Sequence, residues 1–288
     1  MVQQNRITAQ TKLLGIIGHP VDHSLSPVFQ NAAINALKLD YVYLAFDISA
    51  DDLISAVRTF RTWRLKGINV TVPHKEKIVQ WLDRLDETAL LLGAVNVVVV
   101  NDKELVGYNT DGIGFAKALD FNQVNLNGKN IALLGAGGAA RAVLSVLVER
   151  GIHKVTVYNR SLERTLQFQQ WVKNSFTTEV EIDSWENFIK GQSSFLSQVD
   201  ILINTTRLGL SREFIEVPWN NVENSEWIID VVYHREETPL VREARKKGKK
   251  AFDGKMMLLY QGAESFRLFT GYEAPIEAME RALNEALR

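Results

Sequence analysis

Short apolar runs alternate with amphipathic segments along most of this chain. Residues 131–134 form an apolar run, residues 139–149 carry apolar side chains at helical spacing, and residues 155–158 form a β-branched run. Gly151 stands just after the helical pattern, where a glycine commonly ends a helix. The spacing therefore predicts a strand, a glycine turn, a helix and a second strand, which together form the βαβ unit of a parallel sheet.

The same alternation extends to both sides of this unit. Strands alternating with helices over such a length predict an α/β architecture, in which two parallel sheets leave a ligand-binding cleft between them. The predicted strands are 13–17, 41–46, 67–72, 199–204 and 227–232, with a hairpin of 96–100 and 104–106 that turns at Asn101, Asp102 and Lys103. The predicted helices are 27–37, one that ends at 62, one that begins at Pro73, 87–92, 113–119, 256–269 and 275–287.

Composition narrows the class of protein. The chain has 288 residues, enough for two domains, and its 46% hydrophobic and 23% charged content is typical of globular proteins. A net charge of −1 offers no overall basic field for nucleic acid or anionic membranes, and the absence of cysteine excludes disulfides and thiol nucleophiles. The polar N-terminus lacks a signal-peptide core, and no run approaches the roughly 18 apolar residues of a membrane span. We therefore expect a cytoplasmic protein without a nucleic-acid or membrane partner.

The glycine turn after residue 134 predicts a dinucleotide site. Gly135 allows the tight turn out of the strand, and Gly137 lets the backbone approach a pyrophosphate without an intervening Cβ atom. Ala140 is the small residue at which helix and strand pack closely. The free N–H groups at the start of the helix then face the phosphates. The alternative is an ordinary glycine turn without a ligand, but the strand and helix on either side favour the dinucleotide.

The tip of the second strand indicates which dinucleotide is bound. NAD sites usually place an Asp or Glu there, about 20 residues after the turn, to bind the ribose 2′-hydroxyl. This chain has Asn159, Arg160 and Ser161 at that point, with Arg164 one helical turn later and no carboxylate before Glu163. Because a guanidinium donates planar, charge-assisted hydrogen bonds to a phosphate, the tip favours NADP. The alternative is a solvated, basic helix start.

Lys75 and Asp111 are the candidates for acid–base chemistry. We expect Lys75 in the first turn of the helix that begins at Pro73, where the partial positive charge of the helix end disfavours an ammonium and eases proton donation. Asp111 lies in a polar turn bounded by Gly107 and Gly112, and its carboxylate would hold the ammonium in place. The alternatives are a solvated lysine and an aspartate, or Thr110, that only caps the next helix.

Further polar residues stand at the ends of predicted elements. Hydroxyls and amides at such positions suit a carboxylate or a polyol, although each one alone is better explained as a cap or turn residue. These residues are Ser24, Ser26, Asn96 and Gln261. The histidines at 19, 23 and 74 have no spacing typical of a metal site, so we predict no metal.

Taken together, these motifs resemble the shikimate dehydrogenase family, which includes quinate/shikimate dehydrogenases. The likeness extends over nearly the whole chain, and its most specific motifs are SLSP at 24–27, NVTVPHKE at 69–76 and NTDG at 109–112. Less specific motifs are GAVN at 93–96, GAGGAAR at 135–141, NRSLER at 159–164, DVVY at 230–233 and YQGA at 260–263. The resemblance implies NADP-dependent, reversible reduction of 3-dehydroshikimate to shikimate in aromatic amino-acid biosynthesis.

The resemblance also implies an architecture and a set of site residues. A discontinuous substrate domain of residues 1–111 and 254–288 would flank a Rossmann-type NADP-binding domain of residues 112–253, as a monomer or homodimer. The implied catalytic pair is Lys75 and Asp111, and the implied substrate contacts are Ser24, Ser26, Asn69, Thr71, Asn96, Tyr233 and Gln261. The implied cofactor contacts are Gly135, Gly137, Gly138, Ala139, Asn159, Arg160, Ser161, Arg164, Thr205, Thr206 and Gly254.

Two positions depart from the family pattern. Arg207 stands where many biosynthetic members carry a small residue, in a loop that borders the cofactor in the family, so we expect it to alter NADP affinity or domain closure. His74 precedes the lysine where an aromatic residue is frequent.

Three other functions compete with the implied one. A quinate/shikimate enzyme that accepts quinate, with NADP or NAD, shares the motifs. A non-catalytic NADP-dependent redox sensor would share the fold, but the retention of Lys75 and Asp111 counts against it. A folate-type NADP dehydrogenase would not explain SLSP or NTDG.

Overall fold

The computed structural model describes residues 7–63, 65–101, 104–210 and 213–288. The chain divides into two compact units, one formed by Met1–Gly114 with Leu258–Arg288 and the other by Phe115–Met257. The helices Asp111–Phe121 and Lys255–Thr270 run across the two limits. The limits expected from the sequence, at 111 and 254, fall where these helices begin.

The first unit is built on a six-stranded sheet in the order β2, β1, β3, β5, β6, β4. These strands are β1 Lys12–Gly18, β2 Tyr41–Asp47, β3 Gly67–Val70, β4 Arg84–Leu85, β5 Val97–Asn101 and β6 Glu104–Tyr108. Strand β1 is parallel to β2 and β3, but β5 is antiparallel to both β3 and β6. The sheet of this unit is therefore mixed: the expected parallel pairing holds for β2, β1 and β3, and the predicted hairpin adds antiparallel strands. Of the predicted turn, Asn101 ends β5, and Asp102 and Lys103 lie outside the described residues.

Helices cover this sheet and carry the C-terminal segment back to it. The Gln30 amide donates to the carbonyl of Gly262 at 2.8 Å, which joins the first helix of the chain to the long C-terminal one. One face of the sheet packs on a hydrophobic core that includes Val57, Phe60 and Ile78. The helices of this unit are α1 Ser26–Ala36, α2 Leu53–Thr62, α3 Glu87–Leu92, α9 Lys255–Thr270 and α10 Ile276–Ala286, with a 3-10 helix at Lys77–Trp81. Helix α4 Asp111–Phe121 begins in this unit, and its residues from Phe115 onward belong to the second.

The predicted helix beginning at Pro73 is wrong. Residues 72–76 form turns, and only the short 3-10 helix follows them. His74 accounts for the difference, because its ring is fully buried and its Nε2 atom lies 2.7 Å from the carbonyl oxygen of Ile48. This anchor draws the segment along the surface of the core instead of letting it wind into a helix.

The second unit has a six-stranded sheet in the order β12, β11, β10, β7, β8, β9, and all of its strands are parallel. The prediction of a parallel sheet with crossover helices is confirmed here, although the edge strands β9 and β12 were not predicted. The strands are β7 Asn130–Leu134, β8 Lys154–Asn159, β9 Val180–Ser184, β10 Ile201–Asn204, β11 Trp227–Asp230 and β12 Lys250–Phe252. The helices are α5 Gly138–Glu149, α6 Leu162–Ser175, α7 Trp185–Ile189 and α8 Pro239–Lys246, with 3-10 helices at Leu196–Gln198 and Trp219–Asn221.

The register of each sheet brings the candidate residues to one edge. In the second unit, Leu134 pairs with both Tyr158 and Asn204, so the residues after β7, β8 and β10 emerge side by side. The strand order reverses between β7 and β10, which is where open α/β sheets bind ligands. In the first unit, antiparallel β5 presents its beginning at the edge where β3 and β6 end. No helix in the described ranges has the length and apolarity needed to cross a membrane.

Candidate functional site

An ion pair between Lys75 and Asp111 lies at the centre of the candidate site in the first unit. The Lys75 Nζ atom is 2.6 Å from the Asp111 Oδ2 atom, and the two side chains are 20% and 6% exposed. The lysine therefore remains open to a ligand while the carboxylate is enclosed. The carbonyl of Lys75 accepts a hydrogen bond from the backbone N–H of Val95 at 2.8 Å, which ties the turn to the sheet.

The surroundings of this pair differ from the expectation in one respect. Lys75 lies in the turn before the 3-10 helix and not in the first turn of an α-helix, so the argument from a helix dipole does not apply to it. Asp111 is instead the residue at a helix start, in the first turn of α4. A carboxylate is the favourable charge at that end of a helix.

Asn96 holds the second oxygen of the carboxylate. Its Nδ2 atom donates to Asp111 Oδ1 at 2.8 Å, and its Oδ1 atom accepts from the backbone N–H of Thr110 at 2.8 Å. The same Nδ2 atom lies 3.3 Å from the Gln261 Oε1 atom. Because Asn96 is almost fully buried, its polar atoms act within the protein and hold Asp111 in place. The residue therefore braces the ion pair, and its expected contact with the substrate stays a prediction.

A buried polar chain continues from Asn96 to the start of helix α1. The Nδ2 atom of Asn69 donates to the Asn96 carbonyl at 3.1 Å and to the Ser265 hydroxyl at 2.9 Å, and the Tyr43 hydroxyl donates to Asn69 Oδ1 at 2.7 Å. Burial holds the pKa of the Tyr43 phenol well above its ordinary value, and a hydrogen bond with Ser26 opposes that shift. Tyr43 and Ser265 were not predicted as site residues from the sequence. The available signal was a phenol within a β-strand pattern and a hydroxyl four residues after Gln261 on a helix.

The remaining substrate candidates lie around this chain. The Ser24 hydroxyl accepts from the backbone N–H of Ser26 at 3.3 Å, just before helix α1. Thr71 follows β3, and its N–H donates to the carbonyl of Ile17 at 2.9 Å. The sheet edge therefore brings Ser24, Ser26 and Thr71 to the side of the unit that holds Lys75. Tyr233 belongs to the other unit, where it follows β11.

Two glycines of the turn in the second unit have different roles: the fold requires the first, whereas the second has no protein atoms close to its missing side chain. Gly135 has φ +107°, and a Cβ atom there would lie 2.7 Å from the Thr205 hydroxyl oxygen. A Cβ atom on Gly137 would meet nothing within 4 Å, and its φ of −101° is accessible to any residue. The fold therefore requires glycine at 135, whereas the space beside Gly137 is left free for a ligand. Gly138 and Ala139 are the first residues of α5, so their N–H groups face that space.

The strand tip after β8 contains two internally bonded residues and two exposed cations. The Asn159 amide donates to the Ser161 carbonyl at 2.9 Å, and the Ser161 hydroxyl caps α6 by accepting from the Arg164 N–H at 3.4 Å. The guanidinium of Arg164 is exposed, with no ion pair among the described residues. The Arg160 guanidinium stacks on the Trp185 ring, 5.2 Å from its centroid, and its Nη1 atom lies 3.4 Å from Glu213 Oε2. Neither partner of Arg160 was expected from the sequence.

The loop after β10 is anchored by a buried carboxyl group. Thr205 donates through its hydroxyl to the Leu134 carbonyl at 2.6 Å, and Thr206 donates through its hydroxyl to Asn204 Oδ1 at 2.7 Å. Asn204 in turn donates to Asp230 Oδ1 at 2.8 Å. Burial raises the pKa of Asp230 to about 6, against hydrogen bonds from Thr238, Asn204 and the Val232 N–H. Asp230 thus organises the loop that carries both threonines.

Gly254 and Arg207 were both named from the family resemblance, and the structure shows how each is placed within the second unit. A Cβ atom on Gly254 would lie 2.1 Å from the Val231 carbonyl oxygen, so close packing alone requires glycine there. Arg207 is exposed, and its side chain has no bonding partner among the described residues. Within those residues no group of three histidine, aspartate or glutamate side chains is placed to hold a metal.

Family models cover most of the chain. Residues 16–98 match the shikimate dehydrogenase substrate binding domain, residues 117–236 match shikimate / quinate 5-dehydrogenase, and residues 257–283 match the shikimate 5′-dehydrogenase C-terminal domain. A shikimate dehydrogenase (NADP(+)) of Methanococcus vannielii is 38% identical over 287 residues, which cover 98% of this chain and 99% of that protein.

Two solved structures are similar over nearly the full length. A shikimate dehydrogenase in complex with NADP+ is 35% identical, with a TM-score of 0.88 and coverage of 99% of each chain. A shikimate 5-dehydrogenase from Listeria monocytogenes in complex with shikimate and NAD is 32% identical, with a TM-score of 0.85 and coverage of 96% of this chain and 97% of that one.

The buried Asp230 predicts a pH-dependent stability. Its pKa is about 6 in the folded protein and 3.8 for an ordinary aspartate, so the folded state binds the proton more tightly. The contribution of this group to the free energy of unfolding is therefore complete below pH about 4 and falls by about 2–3 kcal/mol as the pH rises through about 6. The variant Asp230→Asn stays neutral and should lack this fall, as measured by urea unfolding at several pH values.

The matched control is Glu179→Gln, which removes an exposed carboxylate from the same unit. Its unfolding free energy should follow that of the wild type at every pH. Parallel pH profiles for Asp230→Asn and the wild type would contradict the assignment of the raised pKa to Asp230.

Proposed function

The chain belongs to the shikimate dehydrogenase family, and we propose that it catalyses the reversible, NADP-linked reduction of 3-dehydroshikimate to shikimate. The observation that carries this proposal is the ion pair of Lys75 and Asp111, with its nitrogen and carboxylate oxygen 2.6 Å apart. An ammonium that is partly open beside an enclosed carboxylate is suited to give a proton to a substrate oxygen.

The second unit fits NADP through its glycine turn. The free space beside Gly137 and the N–H groups of Gly138 and Ala139 suit the pyrophosphate. Arg160 and Arg164, exposed at the strand tip, suit the 2′-phosphate, and Asn159 and Ser161 shape that tip. Thr205 and Thr206 line the loop opposite Gly135. When bound, NADPH supplies the hydride for the reduction.

Lys75 would act on the ketone oxygen of the substrate. As the ketone carbon is reduced, negative charge grows on that oxygen, so a cation that donates a hydrogen bond there stabilises the transition state more than the ground state. A proton passes from Lys75 Nζ to the oxygen to complete the alcohol, and the neutral amine is then reprotonated from solvent. In the oxidation of shikimate, the neutral amine accepts the hydroxyl proton.

Asp111 would orient Lys75 and a neighbouring ring hydroxyl. Its position is set before substrate arrives, because Asn96 donates to one oxygen and Lys75 to the other. Such preorganisation lowers the cost of aligning the reacting groups. We accordingly propose that Asn96 acts on the substrate through Asp111.

The substrate carboxylate would bind at the start of helix α1. The Ser24 and Ser26 hydroxyls are the donors there, and Tyr43 faces Ser26 from the buried side. Asn69, Thr71 and Gln261 surround the neighbouring edge and are proposed to contact ring hydroxyls, and the substrate contact expected of Tyr233 stays a prediction. A cytoplasmic location and a monomeric or homodimeric state remain part of the proposal.

Quinate oxidation is the second candidate function. This reaction would use the same ion pair of Lys75 and Asp111. Because one relative was crystallised with shikimate and NAD, NAD is tested beside NADP. The exposed arginines at the strand tip favour NADP for this chain. A redox sensor would leave the ion pair without a purpose.

The test of the proposal is reduction of each cofactor with each acid. We expect the highest kcat/KM for shikimate with NADP+, measured by the near-ultraviolet absorbance of NADPH. A higher kcat/KM for quinate would establish the second candidate instead. Failure to oxidise either acid would refute the dehydrogenase proposal and would favour the hypothesis of a non-catalytic redox sensor.

Replacing Lys75 should separate chemistry from binding. Lys75→Ala removes the proton donor, so kcat for shikimate oxidation should fall by about 10²–10⁴-fold while KM changes far less. The matched control is Lys77→Ala, which removes an exposed lysine two residues away and should leave both constants unchanged. Near-wild-type turnover by Lys75→Ala would exclude this lysine from the chemical step.

The two glycines should respond differently to alanine. Gly135→Ala introduces a strained φ and a clash with Thr205, so its unfolding free energy should fall by about 2 kcal/mol or more. Gly137→Ala should keep wild-type stability but bind NADP about tenfold more weakly or worse, because the methyl group occupies the space of the pyrophosphate. Titration calorimetry and urea unfolding measure the two effects, and unchanged NADP affinity in Gly137→Ala would contradict this placement of the cofactor.

A further inference from the structure

We propose that Glu213 is a specificity-determining residue that competes with the 2′-phosphate of NADP for Arg160. This inference rests on the proposed function, in which Arg160 receives that phosphate. Its consequence is that this chain binds NADP less tightly, relative to NAD, than its two exposed arginines alone would dictate.

The guanidinium of Arg160 already has a carboxylate partner and an aromatic one. Its Nη1 atom lies 3.4 Å from Glu213 Oε2, and the side chains of Arg160 and Glu213 are 56% and 67% exposed. The guanidinium also lies over the Trp185 ring, whose centroid is 5.2 Å from Arg160 Cζ. The ring contacts the guanidinium without using its N–H groups, so the Glu213 carboxylate is the partner that occupies a hydrogen-bonding position of Arg160.

The backbone keeps Glu213 beside the strand tip. Its carbonyl accepts a hydrogen bond from the Gly209 N–H at 2.9 Å, which ties Glu213 to the segment 205–210 after β10. Thr206 at the start of that segment is held by Asn204, which in turn donates to Asp230. This hydrogen bond holds the backbone of Glu213 near the strand tip independently of the ion pair between its side chain and Arg160.

The strength of the pair determines the size of the effect. Ion pairs between exposed side chains are weak, so a ligand phosphate can displace Glu213. The displaced carboxylate still faces a group that carries about two negative charges, and this repulsion lowers the affinity for NADP. The 2′-hydroxyl of NAD has no charge, so Glu213 exerts no comparable penalty on it. The Glu213 carboxylate thus reduces the difference in affinity between NADP and NAD.

The test uses small probes that differ only in the phosphate. We expect Glu213→Gln to bind 2′,5′-ADP about two- to fivefold more tightly than the wild type, by titration calorimetry, with unchanged affinity for 5′-ADP. The gain should shrink at high salt, because exposed charges are then screened. The matched control, Glu216→Gln, removes an exposed carboxylate three residues away and should bind both probes as the wild type does.

Two results would overturn the inference. Unchanged affinity of Glu213→Gln for 2′,5′-ADP would mean that the carboxylate does not compete, and weaker affinity would mean that it holds Arg160 in the binding position. A parallel series in Arg160→Gln separates this failure from failure of the proposed function. Arg160→Gln should lose most of the preference for 2′,5′-ADP over 5′-ADP, and adding Glu213→Gln should then raise the affinity for 2′,5′-ADP less than it does in the wild type, because the competition for Arg160 is gone and only the repulsion remains.

A preference that survives in Arg160→Gln would refute the placement of the 2′-phosphate and, with it, the role of Glu213. Shikimate oxidation by the wild-type enzyme is measured independently and would still stand. If Arg160→Gln loses the preference while Glu213→Gln has no effect, only the inference about Glu213 fails.

Discussion

The candidate site depends on a carboxylate whose two oxygens are both held before any ligand binds. Asp111 accepts from Lys75 at one oxygen and from the buried Asn96 at the other, and it stands at the start of helix α4. An enclosed carboxylate without such partners would be costly, since burial penalises its charged form. With them, it positions an ammonium that stays accessible. The polar chain through Asn69 to Tyr43 extends this order to Ser26, the first residue of helix α1.

In the second unit, backbone geometry positions the groups that would face a cofactor before it binds. Strand register sets Gly135 beside the residues that follow β8 and β10, and a Cβ atom at Gly135 would collide with Thr205. Gly137 serves the ligand side of the same turn, where the fold itself places nothing. The loop after β10 is held by the buried Asn204 and Asp230, so the groups that would face a cofactor rest on a hydrogen-bonded base rather than on a free loop.

Local patterns predicted the second unit better than the first. Its strands are buried apolar runs between amphipathic helices, and such runs form parallel sheets with crossovers. In the first unit, the hairpin of β5 and β6 turned the sheet into a mixed one, and the helix expected at Pro73 is replaced by turns. The reason in the second case is a tertiary contact, because the buried His74 ring is bound to the carbonyl of Ile48, 26 residues away in the chain. Periodicity within a segment carries no information about such an anchor.

The amino-acid sequence by itself determined the α/β class, the glycine turn, the absence of a carboxylate at the strand tip and the residue types Lys75 and Asp111, because these are properties of short segments. Only the tertiary structure decided that Lys75 and Asp111 meet, that Asn96 braces them and that Glu213 reaches Arg160. Each of these contacts joins residues between 15 and 53 positions apart. Distances of that kind are set by sheet register and by the packing of helices on the core, which no single segment specifies.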